Sequence, residues 1–335
     1  MKMITKNVIF KNFKKKKENK NLRKYLKQLI IYKNEVIKSL TSEYKYSYTK
    51  QKIKKFKKYN NIRIFGMGGS SLGANAIYDF LKSKIKKNFY FLSNLNNRKF
   101  SQKRYLNLII SKSGNTLETI VNSNIYLSKK DKNIFISENK FSDLRALGLK
   151  LKSEIIDHNN FIGGRYSVLS EVGMLPAELM GLNEKKFKQF NSLIKNKKFI
   201  NTLVNNVSNI IFYLKEKKFN SIIINYDEDS EDLFKWYQQL VAESLGKKRK
   251  GIFPFVSTMP KDNHSLMQLY LDGQKNNFYT FFSTKEKFSQ KINSRNLPDD
   301  VKFLRNKSLG DVLSSQIFAT QKVFKKKNIP FRSFM

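Results

Sequence analysis

Leu108-Ile-Ile110, the end of a strand pattern that begins at Leu106, is a short apolar run that stops abruptly at Ser111, Ser113, Gly114, Asn115 and Thr116, and helical spacing opens at Leu117. An apolar run of this length reads as a buried strand. The same plan recurs along the chain. Ile62–Phe65, Phe89–Leu92, Asn133–Ser137 and Ser153–Asp157 read as further strands, with helical patterns through about Leu81, over 117–127 and near 143–147. A long helical pattern follows Gly163-Gly-Arg-Tyr-Ser and runs through Met180, and two more helices are expected over 184–196 and 199–217. The alternation then restarts: strands at Asn220–Tyr226, Ile252–Val256 and Phe278–Ser283, and helices over 229–245, 262–271 and 309–327. Strands alternating with helices at this spacing predict an α/β fold with parallel sheets covered on both faces. The restart divides the chain near residue 180 into two α/β units of similar plan, 1–180 and 181–335.

Two stretches stand outside the alternation. Residues 1–58 are lysine-rich, with apolar residues at helical spacing in Leu22, Tyr25, Leu26, Leu29 and Ile30, and a leading helix or two is expected there. Ile329-Pro-Phe-Arg-Ser-Phe-Met335 reads as the opening of one more strand.

The chain's 335 residues lack cysteine, which excludes a disulfide scaffold and thiolate metal sites. No apolar run of about 18 residues occurs, and no signal-peptide core of about 7–15 residues follows the basic start. No membrane contact is expected, and the location is cytoplasmic by default. The net charge of +40 raises the question of nucleic acid. Yet the lysines are scattered through nearly every segment. The runs Lys14–Lys17 and Lys325–Lys327 are short, terminal and free of interleaved aromatics. No specific nucleic-acid partner is expected, although a positive field steers anionic substrates toward the protein.

A strand that ends in hydroxyls and glycine and feeds a helix can hold an anion, because the free N–H groups and dipole of the first turn face it. No Gly-Lys-Ser/Thr closes the 107–119 stretch, and no GxGxxG spacing marks a dinucleotide site. A single phosphate on a small molecule suits it. An ordinary cap built from Thr116, Glu118 and Thr119 is the alternative. Gly66-Met-Gly-Gly-Ser-Ser-Leu-Gly73 is a second strand-to-helix turn, and its glycines let backbone approach a ligand. Ligands of open parallel sheets lie beyond the carboxyl ends of the strands, so the two turns can share one phosphate.

Taken together, GMGGSSLG at 66–73, SKSGNTLET at 111–119, GGRYSVLSEVG at 163–173, QLVAESLGK at 239–247 and NHSLMQL at 263–269 resemble the glucose-6-phosphate isomerase family. The first two motifs suit the wider sugar-isomerase domain family; the Gly-Gly-Arg and Glu-Ser-x-Gly-Lys segments narrow the match. The resemblance implies two α/β/α sandwich subdomains of the sugar-isomerase type, a homodimer, no metal and no cofactor. It implies an aldose–ketose isomerase that interconverts glucose 6-phosphate and fructose 6-phosphate through ring opening and a cis-enediolate. Gly69, Ser70, Ser111, Lys112, Ser113 and Thr116 then bind the sugar phosphate, with Ser113 standing where many relatives have threonine. Glu243 is the base that carries a proton between C1 and C2, as a carboxylate in a partly dry site can. Gln239, one turn earlier, faces the same side of the helix. Arg165 stabilises the enediolate charge. His264 assists ring opening and is donated by the partner subunit.

Each assignment has a plainer alternative. Glu243 and Lys247 have ion-pair spacing on a helix. Arg165 has Glu171 and Glu178 near it in sequence, and Asp262 can be a helix cap beside His264. His158, the other histidine, lies in a polar turn outside these motifs. A non-catalytic sugar-phosphate sensor on the same fold needs residues 70 and 111–116, but not Glu243, Arg165 and His264 together.

The pattern also departs from the family. Relatives continue past the last helix into a strand and a long helix bearing an active-site glutamine and lysine, which this sequence lacks. Gln321 and Lys322 are adjacent and lie upstream, so they are not assigned those roles. The expectation is a fragment or reduced homologue, weak in ring opening. Its Phe331–Phe334 strand is expected to be an exposed, aggregation-prone edge.

Overall fold

The computed structural model describes residues 2–13, 19, 21–32, 34–101, 103–285 and 289–335. The Lys14–Lys17 run lies outside these. The strands among the described residues are β1 (Lys2–Thr5), β2 (Val8–Lys11), β3 (Asn61–Phe65), β4 (Asn88–Leu92), β5 (Leu106–Ile110), β6 (Lys132–Ser137), β7 (Glu154–Asp157), β8 (Asn220–Asn225), β9 (Phe253–Thr258), β10 (Asn277–Phe282) and β11 (Phe331–Phe334). They form two sheets, ordered β4-β3-β5-β6-β7 and β1-β2-β11-β10-β8-β9. Every pairing in the first sheet is parallel, as are those of β8 through β11 in the second. The α/β class with parallel sheets is therefore present.

Two compact units form: residues 24–195 with 232–244, and residues 1–23 with 196–231 and 245–335. The first holds the five-stranded sheet. Its strands alternate at period two, so Ile62, Ile64, Leu106, Leu108, Ile110, Ile134 and Ile136 pack on one face, while Phe65, Ile109 and Phe135 pack on the other, against Leu144 of the helix Asp143–Lys150. All five residues of β5 are buried, as a strand covered on both faces requires. Each such side chain contributes about 1.5–3 kcal/mol by leaving water. One polar knot interrupts this core. The Arg63 guanidinium donates to Asn107 Oδ1 at 2.8 Å and to Asp131 Oδ2 at 2.5 Å. It stacks 4.3 Å from the centre of the Tyr105 ring. Burial pushes Arg63 below its ordinary pKa, with Asp131 opposing the shift.

In the second unit, Tyr279 and Phe281 of β10 meet Phe324 of the helix Leu309–Lys326 edge to face, at 5.0 and 5.2 Å. That helix starts at a reciprocal cap, in which Asp311 N donates to Ser308 Oγ and Ser308 N to Asp311 Oδ2.

The expected leading helix forms at Asn21–Ile31, and a hairpin that the spacing did not predict precedes it over residues 2–11, β1 antiparallel to β2. Alternation in Met3–Thr5 and Val8–Phe10 around Lys6-Asn7 is the strand signal, masked by the surrounding lysines. The expected bare edge at Phe331–Phe334 is absent. β11 pairs with β10 on one side and with β2 on the other, and Ile9 and Met335 exchange backbone hydrogen bonds at 2.7 and 2.9 Å. The hairpin covers that strand. Among the described residues no helix is long and apolar enough to cross a membrane.

Candidate active site

β3 and β5 are neighbours in parallel register, so the turns that leave them emerge side by side. After β3 the chain makes a 3₁₀ turn over Gly68–Ser70 and enters the helix Leu72–Phe80. After β5 it crosses residues 111–116 and enters the helix Leu117–Tyr126. Ser111 and Thr116 share a hydrogen bond at 2.8 Å, and Gly114 N donates to Ser111 Oγ at 3.1 Å. Gly114 takes φ +72°, and a Cβ there would meet Ser142 Oγ at 2.0 Å. Glycine is thus required both by conformation and by space.

Thr116 occupies the N-cap position, yet its side chain makes no capping bond. Its hydroxyl turns to Ser111 instead, so the ordinary-cap alternative does not describe this turn. Ser113 Oγ accepts from Asn115 N at 3.3 Å and is exposed. Ser70, half-buried, ends the other turn. Lys112 is engaged elsewhere: its ammonium donates to Asn160 O at 2.9 Å and pairs with Glu138 at 3.4 Å.

The Gly163-Gly-Arg segment locks onto the first turn. A Cβ on Gly69 would lie 2.2 Å from the Gly164 carbonyl carbon and 2.6 Å from Arg165 N. Ser167 Oγ donates to Gly69 O at 3.2 Å. This contact sets the backbone of Arg165 beside Ser70.

The helix Glu231–Leu245 supplies the rest. Gln239 sits against Gly68, whose added Cβ would be 2.9 Å from the Gln239 amide nitrogen. Gln239 Nε2 donates to Glu243 Oε1 at 2.8 Å, and Arg165 Nη1 donates to Glu243 Oε2 at 3.1 Å. Arg165 Nε donates to Ser244 Oγ at 3.0 Å, and its guanidinium lies 4.5 Å from the centre of the Tyr166 ring. Trp236 Nε1 donates to Arg165 O at 3.4 Å. Burial would lower the pKa of Arg165, but its bonds to Tyr166 and Glu243 outweigh that and hold it above the ordinary value. The Gln239 amide oxygen is buried and has no partner among the described residues.

Arg165 thus pairs with Glu243, seventy-eight positions away, and not with its sequence neighbours. The Glu171 carboxylate is taken by Tyr44 and by Asn159 N, and Glu178 accepts from Tyr48. The Glu243 side chain is 47% exposed and that of Arg165 21%.

His264 belongs to the other compact unit, exposed, at the end of a short 3₁₀ turn after β9. Asp262 there binds Thr258 N, Ser257 and Ser265, stapling the turn to the strand. His158 is a buried residue at the end of β7, where burial holds its ring below the ordinary pKa. Sequence reasoning assigned no role to Tyr166, Trp236 or Ser244. The only available signal was their place inside or just before the recognised motifs, because their contacts to the Arg165 loop span up to 79 positions.

The turns, Arg165, Gln239 and Glu243 therefore share one unit, a carboxylate and a fixed cation beside two hydroxyl-lined helix starts. The family model described as phosphoglucose isomerase matches residues 21–259. The chain is 34% identical to the glucose-6-phosphate isomerase of Methanocaldococcus jannaschii, covering 83% of this chain and 73% of that one. It is 31% identical to that of Campylobacter jejuni, covering 80% and 72%. In fold it is similar to a hypothetical protein of Thermus thermophilus, with TM-score 0.77 at 19% identity over 94% of this chain and 82% of that one. It is also similar in fold to the glucose-6-phosphate isomerase of Chlamydia trachomatis, with TM-score 0.61 at 20% identity over 83% of this chain and 60% of that one. On the extent of these matches, the chain belongs to the phosphoglucose isomerase family.

Proposed function

We infer that the chain is a glucose-6-phosphate isomerase, converting glucose 6-phosphate to fructose 6-phosphate and back. The observation that carries this reading is the placement of Glu243, with one oxygen on Arg165 and the other on Gln239, in the unit that holds the Ser70 and Ser111–Thr116 turns.

The sugar phosphate docks on Gly69, Ser70, Ser111, Ser113 and Thr116, where hydroxyls and helix-start N–H groups serve an anion. Lys112 contributes through its backbone N–H in the turn, its ammonium being held by Asn160 O and Glu138. With the sugar open, the Glu243 carboxylate removes the proton on C2. The electron pair of that C–H bond forms the C1=C2 double bond, and the carbonyl oxygen on C1 takes the negative charge. Arg165 faces that charge, a fixed cation that needs no rearrangement when the charge appears. Glu243 then returns its proton to C1, while the proton of the C2 hydroxyl passes to the oxygen on C1, so that C1 carries the hydroxyl and C2 the carbonyl of fructose 6-phosphate. One carboxylate thus acts as base and then as acid. Gln239 Nε2, donating to Glu243 Oε1, holds the carboxylate from its other side.

His264 is assigned to ring opening, donated across the interface of a homodimer. The two compact units serve as the two sugar-isomerase subdomains, and the place of action is the cytoplasm. No metal or cofactor is called on. A coupled assay with fructose 6-phosphate tests the reading. Turnover by the purified chain, lost on Glu243→Gln, supports it; a wild-type chain with no turnover contradicts it.

A further inference from the structure

Ser244 is the residue next to the proposed base, and its side chain turns away from the carboxylate to Arg165. Its Oγ accepts from Arg165 Nε at 3.0 Å and lies 2.9 Å from the Tyr166 hydroxyl. The Arg165 guanidinium is therefore held along three directions. Ser244 fixes the Nε edge, Glu243 takes Nη1 at 3.1 Å, and the Tyr166 ring lies against it with its centre 4.5 Å away.

We propose that Ser244 is a positioning residue for the isomerisation: it orients the Arg165 guanidinium toward the reacting carbon pair and keeps it in register with Glu243. The inference rests on the isomerase reading given above.

An arginine carries several rotatable bonds, and a single bond to a half-exposed carboxylate leaves its planar head free to swing about the Nη1 contact. A second acceptor at Nε removes that swing, because the donors of the guanidinium form a rigid planar fork. Ser244 and Glu243 are consecutive on one helix, so their spacing is set by helical backbone rather than by a loop. The two acceptors thus present a fixed pair of points to one guanidinium. The Tyr166 hydroxyl completes the arrangement by bonding Ser244 Oγ, which orients the serine in turn. Charge stabilisation in a transition state depends on such placement, since small displacements of a catalytic group weaken it steeply.

Ser244→Ala deletes the Nε acceptor and leaves Glu243 in place. With fructose 6-phosphate, kcat is expected to fall about tenfold to a hundredfold, the range for one lost hydrogen bond to a charged group. KM should move by less than about twofold, because the phosphate turns are untouched. Ser244→Thr keeps the oxygen and should recover most of the loss. A uniform fall in both variants that follows their melting temperatures would mark a merely structural role and overturn the proposal. So would a Ser244→Ala kcat within about twofold of wild type. A crystal structure of Ser244→Ala reads the same point without turnover. The Arg165 guanidinium is expected to leave its wild-type position; finding it unmoved contradicts the proposal. An inactive wild-type chain would sink the isomerase reading, and the crystallographic arm would still decide the role of Ser244.

Discussion

Gly69 and Gly164 meet backbone to backbone, so closely that a Cβ on Gly69 would lie 2.2 Å from the Gly164 carbonyl carbon. The turn that presents Ser70 and the turn that presents Arg165 are therefore a single packed piece, pinned by the Ser167 hydroxyl on Gly69 O. On the proposed mechanism, phosphate docking at Ser70 and charge stabilisation by Arg165 are coupled through this contact. Gly69→Ala must push the two turns apart. Overpacking of this kind costs about 1–3 kcal/mol of stability. A displacement of about 1 Å at Arg165 lowers kcat/KM by roughly a hundredfold. Steady-state kinetics together with a melting curve check both expectations.

The Arg63–Asp131 pair is sealed within the five-stranded sheet, its side chains 4% and 3% exposed. Asp131 also accepts from Tyr105 N at 3.0 Å. Removing one partner strands a buried charge, so Asp131→Ala should cost about 3–5 kcal/mol. Replacing both members with apolar residues of similar volume should cost less. Urea unfolding of the single and double variants makes the comparison.

Lys188 is a lysine in a partly dry setting. Its ammonium donates to the carbonyls of Ser39 and Leu169 and lies 5.0 Å from the ring centres of both Tyr44 and Tyr46. Burial lowers its pKa from 10.5 to about 8, against the pull of Glu171 and Glu184. Between these two values the unfolded chain holds more protons on this group than the folded one. The folded state therefore gains stability as pH rises through that window. Lys188→Met lacks the effect, so the stability of the wild type relative to this variant should rise between about pH 8 and 9.5. Denaturant midpoints of both proteins at several pH values provide the measurement. Tyr44 and Tyr46, both raised by burial, titrate above this window.

The hairpin at the start of the chain protects β11. Ile9 N donates to Met335 O at 2.7 Å, and Met335 N to Ile9 O at 2.9 Å. Ile9→Pro removes the first of these donors, which unpairs the strand edge. An unpaired edge recruits other chains. Concentration-dependent light scattering on mild heating should rise for Ile9→Pro and stay flat for the wild type.

Much of this architecture was legible in the sequence, for definite reasons. β5 and its neighbours were readable because strands buried on both faces are continuous apolar runs. The helix over 309–327 was readable from its spacing. The hairpin was hidden by its lysines, and with it the partner of β11. Within the site, Gln239 and Glu243 were readable as a pair because helical spacing is local. Arg165 could be named from its motif, but its choice of Glu243 over Glu171 depends on folding. Gly69 carries no sign in the sequence that Gly164 lies against it, and Ser244 carries none that it faces Arg165. Contacts this distant in sequence follow from topology alone.

On the proposed mechanism Glu243 carries the proton between C2 and C1. Its most direct test is exchange with solvent. Fructose 6-phosphate is incubated with the protein in deuterated water, and deuterium at C1 of the ketose and C2 of the aldose is followed by NMR. Wild-type protein should incorporate deuterium at both positions, and Glu243→Gln should lower the rate by about a thousandfold or more, as loss of a general base does. Exchange by Glu243→Gln within about tenfold of wild type would contradict the account.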